Sequence, residues 1–481
     1  MSEGGTIRET VDRALAQLID ELGHGPDRDV IETLRSEFAE PLRVAVAGRI
    51  KAGKSTLVNA LLRQRVAPTD VGECTRFVTW YRHGFPERLE IVGVDGARRS
   101  RPLRTDGSLP PELGVDPAEI HHLEVFLGNA QLQRLTVIDT PGLASTHDER
   151  SAATRELLAI DRDSRAAVSD ADVLLLVMAM DGRDSDDAVL YAFESQFDGL
   201  RKTALNAAAV LSKIDLIDEP GAAVRSRLED VARSVAGRLR TPLAAVVPMA
   251  TLLAETTECG MLTEDDVDAL VALARLDEVA TAKLLRTVDR FVSAEAPVPS
   301  SRRARLLERL DLHGVAIAIA HLRASGTPSL IRRLRDEAGT EAFRMRVLDG
   351  VSRNADVLKC TRLLTTLARV GADGASRTPV LRALETLWLD PALHGVRLER
   401  AAQLHSAGEA ELPGELASEL HALARGATGA LPAVEKPALV EAVGRWRRFA
   451  NSGRAGPAER EIADVMCRAY ELTYERLAAS G

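Results

Sequence analysis

Residues 48–56 combine side chains and spacing that suit the binding of phosphate groups. They read GRIKAGKST and directly follow the apolar run LRVAVA. Glycines let the backbone approach a phosphate, while N–H groups and a following helix N-terminus supply a positive field. Lys54 is placed to reach the β- and γ-phosphates, and Ser55 to bind Mg²⁺. The alternative is a plain glycine turn. The predicted phosphate-binding residues are Gly48, Lys51, Ala52, Gly53, Lys54, Ser55 and Thr56.

A second motif, VIDTPGL, occupies residues 137–143 at the end of an apolar stretch that reads as a buried strand. The carboxylate of Asp139 can hold Mg²⁺ through water. Gly142 has no side chain, so its N–H can meet a γ-phosphate. Asp-x-x-Gly by itself occurs in ordinary turns, but after a strand and downstream of a phosphate loop it indicates a nucleotide switch.

The segment LSKID, residues 211–215, also ends an apolar stretch and suits recognition of a purine base. The carboxylate of Asp215 can accept from the N1–H and the exocyclic amine of guanine together, and adenine lacks that donor pair. Lys213 can lie over the base, and Ser212 occupies the position where GTPases more usually have Asn or Thr. The alternative interpretation is an ordinary strand end.

A mobile threonine completes the predicted site. Thr75 lies in the segment GECTRFVT, residues 72–79, and can swing onto Mg²⁺ and the γ-phosphate. Thr69 and Thr79 are alternatives. The predicted metal ligands are Ser55, Thr75 and Asp139. Phosphate loop, mobile Thr, DxxG and SKxD, in that order, predict a domain that binds GTP with Mg²⁺, and GTP is favoured over ATP.

The elements that must position these residues alternate between strand and helix. Helices are predicted at 54–64, 184–197 and 221–239, between the strands. The pattern predicts an α/β fold with a mostly parallel sheet between helices. The predicted strands are 42–48, 76–82, 89–94, 121–127, 135–139, 172–180, 206–215 and 243–250.

Helical segments flank this region on both sides. Apolar residues recur at helical spacing in 6–22 and 29–40, and after about residue 262 strand patterns stop. We predict an N-terminal helical segment at 1–41, a GTPase domain at 42–290 and a C-terminal all-α bundle or stalk at 291–481. The predicted C-terminal helical segments lie near 303–323, 329–370, 378–389, 412–425 and 435–480.

Bulk properties restrict the class of protein. A chain of 481 residues is too long for one compact core, so two or three domains are expected. The net charge of −9 argues against a nucleic-acid partner for the whole molecule. The N-terminal residues are polar and acidic, unlike a signal peptide, and no apolar run reaches the ~20 residues that span a bilayer. A cytoplasmic protein, at most peripheral on the inner face of the membrane, is expected.

The stretch IKAGKSTLVNALLRQRVAPTDVGECTRFVTWYRHG, residues 50–84, resembles bacterial dynamin-like proteins, particularly the C-type member of the mycobacterial isoniazid-inducible pair. The resemblance is strong over the GTPase region and weaker in the helical half. It implies hydrolysis of GTP to GDP, dimerisation through the GTPase domains, and coupling to membrane binding or remodelling. The partners that it implies are a second copy of the chain, a paired dynamin-like protein and an anionic membrane surface.

One departure from the dynamin pattern concerns the water-positioning group. Dynamins keep a catalytic Gln where this chain has Ile50, and the residue after DTPG is Leu143 rather than Gln. Hydrolysis would then use backbone groups, Thr75 or a cation. Lys51 lies where the related guanylate-binding proteins carry an internal arginine finger, so Lys51, Lys54 and Thr75 are the predicted catalytic residues. The alternative for Lys51 is a solvated loop lysine.

Direct signals for a membrane surface are weak in the sequence. GRWRRFANSGR, residues 444–454, and the Arg-rich 329–346 are either basic headgroup contacts or helices with a solvated basic face. GVAIAIAHL, residues 314–322, is either an inserting tip or a core helix. A competing hypothesis is an Era-like regulatory GTPase that acts on a ribosome or a protein complex without remodelling membranes.

Overall fold

The computed structural model describes residues 6–49, 51–68, 76–141, 171–179, 206–214, 222–238, 243–372, 376–426 and 435–479. Within these residues, nine strands form one sheet in the order β4-β3-β5-β2-β6-β1-β7-β8-β9. The strands are β1 Leu42–Gly48, β2 Thr79–His83, β3 Arg88–Gly93, β4 Arg98–Arg101, β5 Ile120–Leu127, β6 Leu135–Asp139, β7 Val173–Ala179, β8 Ala207–Ser212 and β9 Val246–Pro248.

The centre of the sheet is parallel and buried on both faces. β6, β1, β7, β8 and β9 run parallel to one another, while β2 pairs antiparallel with β6, and β3 antiparallel with β4 and β5. Every residue of β1 and of β8 is buried. Strands covered on both faces read as continuous apolar runs, which explains why the sequence revealed them. The predicted α/β fold with a mostly parallel sheet is confirmed.

Helices cover both faces of the sheet and account for the rest of the described elements. The first nine are α1 Ile7–Glu21, α2 Pro26–Ala39, α3 Lys54–Leu62, α4 Ala222–Arg238, α5 Thr251–Glu258, α6 Glu264–Ala274, α7 Glu278–Leu284, α8 Val288–Ser293 and α9 Ser300–Ser325. The others are α10 Leu330–Ala338, α11 Thr340–Phe343, α12 Asp349–Arg353, α13 Ala355–Val370, α14 Arg377–Leu389, α15 His394–Ser406, α16 Gly414–Arg425, α17 Lys436–Ala450 and α18 Pro457–Ala479. A π-helical turn, Arg344–Leu348, joins α11 to α12. The predicted helix at 184–197 lies outside the described residues.

The apolar core around the sheet continues into the helical half. One cluster joins strand and α3 side chains to residues of α9 to α13, as far along the chain as Leu358. The predicted division at residue 290 stays a prediction, and this core runs across it. A smaller cluster on the other face packs α4 against the sheet.

Two further cores are formed by helices without strands. One of them joins α1 and α2 to α13 and α14, so the first helices pack against residues more than 300 positions later. The other core is formed by α15 to α18, around the fully buried Trp446. Among the described residues, every element after β9 is helical, as the sequence predicted.

Buried charges connect the sheet to α13 at the edge where the central strands begin. The Oδ2 atom of Asp172, just before β7, accepts the backbone N–H of Arg43 at 2.9 Å. Its Oδ1 lies 2.9 Å from Nε of Arg362 on α13. The Asp172 side chain is fully buried, so this contact between the sheet and the helical half lies in the protein interior.

The structure accounts for the three segments with a possible membrane role. In residues 314–322, Val315 and Ile319 are buried in the main core, so the inserting-tip alternative is wrong. In the basic segment 444–454, Trp446 is buried, and Arg445 and Arg447 pair with Glu419 and Glu471, respectively. The Arg-rich segment 329–346 likewise buries Leu330 and Leu334 in the core. Three of its arginines, Arg333, Arg335 and Arg344, pair with carboxylates. No helix in the described ranges is long and apolar enough to cross a membrane.

Candidate nucleotide-binding site

The carboxyl ends of the parallel strands converge at one edge of the sheet, which is where open α/β sheets bind ligands. β1 ends there at Gly48, which has φ +153° and stands in register with Val177 of β7. A Cβ at position 48 would lie 2.2 Å from the backbone oxygen of Val177. The loop entrance is therefore packed so closely against β7 that only glycine fits.

The second glycine starts α3. Gly53 is the N-cap residue of this helix and has a left-handed conformation with φ +93°. A Cβ there would lie 2.8 Å from Oγ1 of Thr251, the first residue of α5. In the described part of the chain, no side chain caps the first turn of α3, so its N–H groups are left for an anion.

Lys54 is 7% exposed and lies at the start of α3. Its Nζ donates to the backbone oxygen of Arg49 at 3.0 Å. Burial lowers the pKa of Lys54, and the nearby carboxylate of Asp139 partly offsets that effect. A buried ammonium with little compensating charge is stabilised by an anion, which is what a phosphate would supply.

Asp139, at the end of β6, faces the same helix start. Its Oδ2 accepts a hydrogen bond from Oγ of Ser55 at 3.1 Å. Burial raises the pKa of Asp139 to about 6, although Lys54 and Ser55 act in the opposite direction. Within the described residues, its Oδ1 is buried without a hydrogen-bond partner. A hydroxyl beside a buried carboxylate with a spare oxygen fits Mg²⁺, which takes one or two protein oxygens and completes its shell with phosphates and water.

Ser212 connects the base-reading motif to the phosphate loop. It is fully buried at the end of β8, and its Oγ lies 2.6 Å from the oxygen of Ala52 and 3.0 Å from that of Met178. Its hydroxyl is thus used within the protein. Its predicted contribution to nucleotide binding stays a prediction and would be indirect, through Ala52. Lys213 follows with φ +57°, a left-handed conformation that turns the chain at the strand end.

Comparisons with known proteins agree with this geometry. A family described as 50S ribosome-binding GTPase matches residues 43–207. The isoniazid-induced protein IniC of Mycobacterium tuberculosis is 34% identical over 352 residues, which cover 70% of this chain and 69% of IniC. The chain belongs to the bacterial dynamin-like GTPases of the IniC type.

Two further relatives carry the dynamin description. A bacterial dynamin-like protein of Nostoc punctiforme is 32% identical over 120 residues, 22% of this chain and 17% of that protein. A solved structure of an oligomerised bacterial dynamin pair, described as a mechanism for long-range sensing and tethering of membranes, covers 97% of this chain and 75% of its own at 13% identity. Its TM-score of 0.32 is too low to support a conclusion about this chain. The predicted resemblance and the assignment as a GTP hydrolase are confirmed by the family.

Several predicted site residues of this dynamin-like GTPase lie outside the described residues. They are Thr75, Gly142 and Asp215, together with Ile50, Leu143 and the alternative Thr69. The other alternative, Thr79, is buried within β2 and stands in register with Asp139, so it is a strand residue rather than a loop residue. Lys51 is exposed at φ +61°, and Thr56 lies in the first turn of α3.

Sequence reasoning missed a buried polar cluster centred on Asn59 of α3. The Asn59 side chain forms four hydrogen bonds. Its Oδ1 accepts the N–H groups of Val66 and Ala67, and its Nδ2 donates to Glu255 and to the backbone oxygen of Ala67. Arg65 pairs with Glu255 from outside. This cluster fixes residues 66–67, which lead toward the predicted mobile threonine. A polar residue on an otherwise apolar helix was the available signal.

Proposed function

We propose that this GTPase binds GTP with Mg²⁺, dimerises through its GTPase domain and couples the nucleotide cycle to a membrane surface. The observation that carries the proposal is the path along β7. At its carboxyl end, Val177 packs on Gly48 of the phosphate loop, and at its amino end Asp172 meets Arg362 of α13. A short strand, buried from Val173 to Met178, thus connects the nucleotide pocket to the helical half.

Three kinds of group in the pocket would contribute to nucleotide binding. Lys54 would hold negative charge on the β- and γ-phosphates, and the uncapped N–H groups of α3 would bind phosphate oxygens. Ser55 and Asp139 would hold Mg²⁺, which when bound neutralises charge that develops on the phosphates. Ser212 would keep the loop in place by its contact with Ala52.

Hydrolysis in this chain would depend on association. Ile50 and Leu143 occupy the two positions where GTPases usually have a catalytic glutamine, and neither apolar side chain can orient the attacking water. Lys51 is exposed, where a facing GTPase domain could enclose it and increase its effect on transition-state charge. We expect Lys51→Ala to reduce GTP turnover at high protein concentration only, whereas the exposed Lys283→Ala should match the wild type. Unchanged turnover in Lys51→Ala would remove this role.

The coupling is tested by the GTPase rate against protein concentration, with and without anionic liposomes. Association predicts a turnover per molecule that rises with concentration, and membrane coupling predicts a further rise when lipid is added. Arg362→Gln, far from the nucleotide, should retain basal turnover and lose the lipid response. A rate that is independent of both concentration and lipid contradicts the proposal.

Base recognition is a separate part of the proposal. Asp215→Asn should weaken GTP binding and favour xanthosine triphosphate, because the amide donor matches the additional carbonyl of xanthine. Competition between the two nucleotides measures this directly. A variant that keeps the GTP preference would show that another residue reads the base.

The second candidate function is an Era-like role on a ribosome. It is favoured by one observation, the match of residues 43–207 to a family described as 50S ribosome-binding GTPase. The net charge of −9 makes it the weaker candidate, because ribosomal RNA is a polyanion. Co-sedimentation with ribosomes and with anionic liposomes, each in the presence of a non-hydrolysable GTP analogue, separates the two functions.

A further inference from the structure

A cavity of about 480 Å³ lies at the edge of the sheet opposite the nucleotide pocket. Its walls come from α1, the turn between α2 and β1, the start of β6, and α12 with α13. The volume is within the range of small-molecule sites. Because β1 and β6 begin here and end at the phosphate loop and Asp139, the cavity is separated from the nucleotide pocket by the length of the sheet.

The lining of this cavity has an excess of positive charge. Among the described residues, its four cationic side chains are Arg8, Arg134, Arg353 and Lys359, and its two carboxylates are Glu40 and Asp356. Asp356 pairs with Arg8 at 2.8 Å, and Glu40 accepts from two arginines outside the lining. Both carboxylates are therefore already compensated, and the charge of the other three cations is left over.

Lys359 is 2% exposed and forms the inner part of the cavity. Its Nζ donates to the backbone oxygens of Phe38 and Glu40, which end α2. An ammonium has three donors, so one is left over after these contacts with the described residues. Burial lowers the pKa of Lys359 to about 8, partly opposed by Asp172, so an anion in the cavity would favour its charged form.

Arg134 and Arg353 lie at the rim, on different elements. Arg134 immediately precedes β6, and its backbone oxygen accepts the N–H of Leu42 at 3.2 Å, which fixes its place beside β1. Arg353 ends α12, and both side chains are exposed. Guanidinium groups bind oxyanions through paired N–H donors, whereas an ammonium acts as a point charge.

We propose that this cavity binds a small phosphate-bearing ligand, with Lys359 at its base and Arg134 and Arg353 at its rim. Two guanidinium groups and one ammonium suit a tetrahedral oxyanion that carries close to two negative charges better than a single carboxylate. The phosphate could come from a free phosphorylated molecule or from an anionic lipid headgroup. Because the walls belong to both the sheet and the helical half, the bound ligand would stabilise their contact.

The test uses the full-length chain and measures binding of inorganic pyrophosphate by calorimetry. The wild type should show a binding event that persists in Lys54→Ala, where the phosphate loop is disabled. In the Lys54→Ala background, Arg134→Gln/Arg353→Gln should weaken this event at least tenfold. Arg346→Gln, which removes an exposed arginine that is not part of the lining, is the matched control and should bind as before.

Flotation with vesicles that contain phosphatidic acid, whose headgroup is a phosphomonoester, identifies the source of the phosphate. If Lys54→Ala binds vesicles but not pyrophosphate, and the double variant loses vesicle binding, the site is assigned to a lipid headgroup. If Lys54→Ala binds pyrophosphate but not vesicles, and the double variant loses pyrophosphate binding, the site is assigned to a free ligand. The proposal is overturned if Lys54→Ala binds neither probe, or if the double variant binds both as well as the control. Far-UV circular dichroism of each variant establishes that the fold is kept, and Arg353→Glu alone serves as a second variant.

Discussion

Gly48→Ala tests how closely the phosphate loop is packed against β7. The added Cβ would lie 2.2 Å from the oxygen of Val177, whereas an ordinary C···O contact is about 3.3 Å, so the two strands must separate by roughly 1 Å. The obstacle is backbone within a parallel ladder, which cannot rotate away as a flexible side chain would.

The magnitude follows from two costs. Overpacking a buried site costs about 1–3 kcal/mol, and holding alanine at φ +153° costs about 1–3 kcal/mol more. The expected loss of about 2–6 kcal/mol is a large share of the ~5–15 kcal/mol that stabilises typical proteins. Because the strain is located at the loop entrance, affinity for nucleotide should fall as well.

The assay is urea unfolding followed by far-UV circular dichroism, together with binding of a fluorescent GTP analogue. Gly237→Ala is the matched control, because a Cβ at position 237 of α4 meets no atom within 4 Å. We expect the control to be neutral or slightly stabilised, since alanine favours a helix over glycine. A Gly48→Ala protein with a wild-type unfolding midpoint and nucleotide affinity would refute the steric reasoning.

Three further predictions concern single side chains. Lys54→Ala should abolish tight GTP binding in an equilibrium titration, because the buried cation that faces the phosphates is gone. Ser212→Ala should weaken GTP binding several-fold and lower the free energy of unfolding by about 1–3 kcal/mol, since the oxygen of Ala52 loses its donor. Burial raises the pKa of Glu124, but hydrogen bonds from His122 and Arg98 outweigh it and lower the pKa to about 2. The stabilisation from this carboxylate is present above its ordinary pKa of 4.5 and is lost as the pH falls toward 2, so Glu124→Gln should flatten the acid side of the stability–pH curve in this window. Unchanged acid unfolding in that variant would contradict the assignment.

Elements whose apolar residues form a clear run or recur at regular spacing could be predicted from the sequence. Elements that form only through contacts with distant parts of the chain could not. The bounds of β6 are those that the sequence predicts, since LTVID is a largely apolar run whose middle three residues are buried. β4 was missed because its four residues, RRSR, are all exposed and form a strand only by pairing with β3. α15 was missed as well, because the sequence gives no clear apolar stripe around residues 394–406.

Sequence reasoning also located the core of the site but not its supports. Lys54, Ser55 and Asp139 belong to motifs whose spacing reflects phosphate chemistry, and the structure places them together. Thr251, which closes the space beside Gly53, lies 198 positions further along the chain and outside the four nucleotide motifs. Such a neighbour depends on the strand order, which the local sequence does not encode.

The packing of α1 and α2 against α13 has a consequence for biosynthesis. Phe38 and Lys359 touch across 321 positions of chain, so the first helices leave the ribosome long before the residues that cover them. At ~5–20 residues per second, the apolar stripe of these helices stays uncovered for roughly 15–60 s. Throughout that interval the nascent chain exposes these apolar side chains, and binding by a chaperone would protect them until translation has passed Val396, the last buried residue of this core.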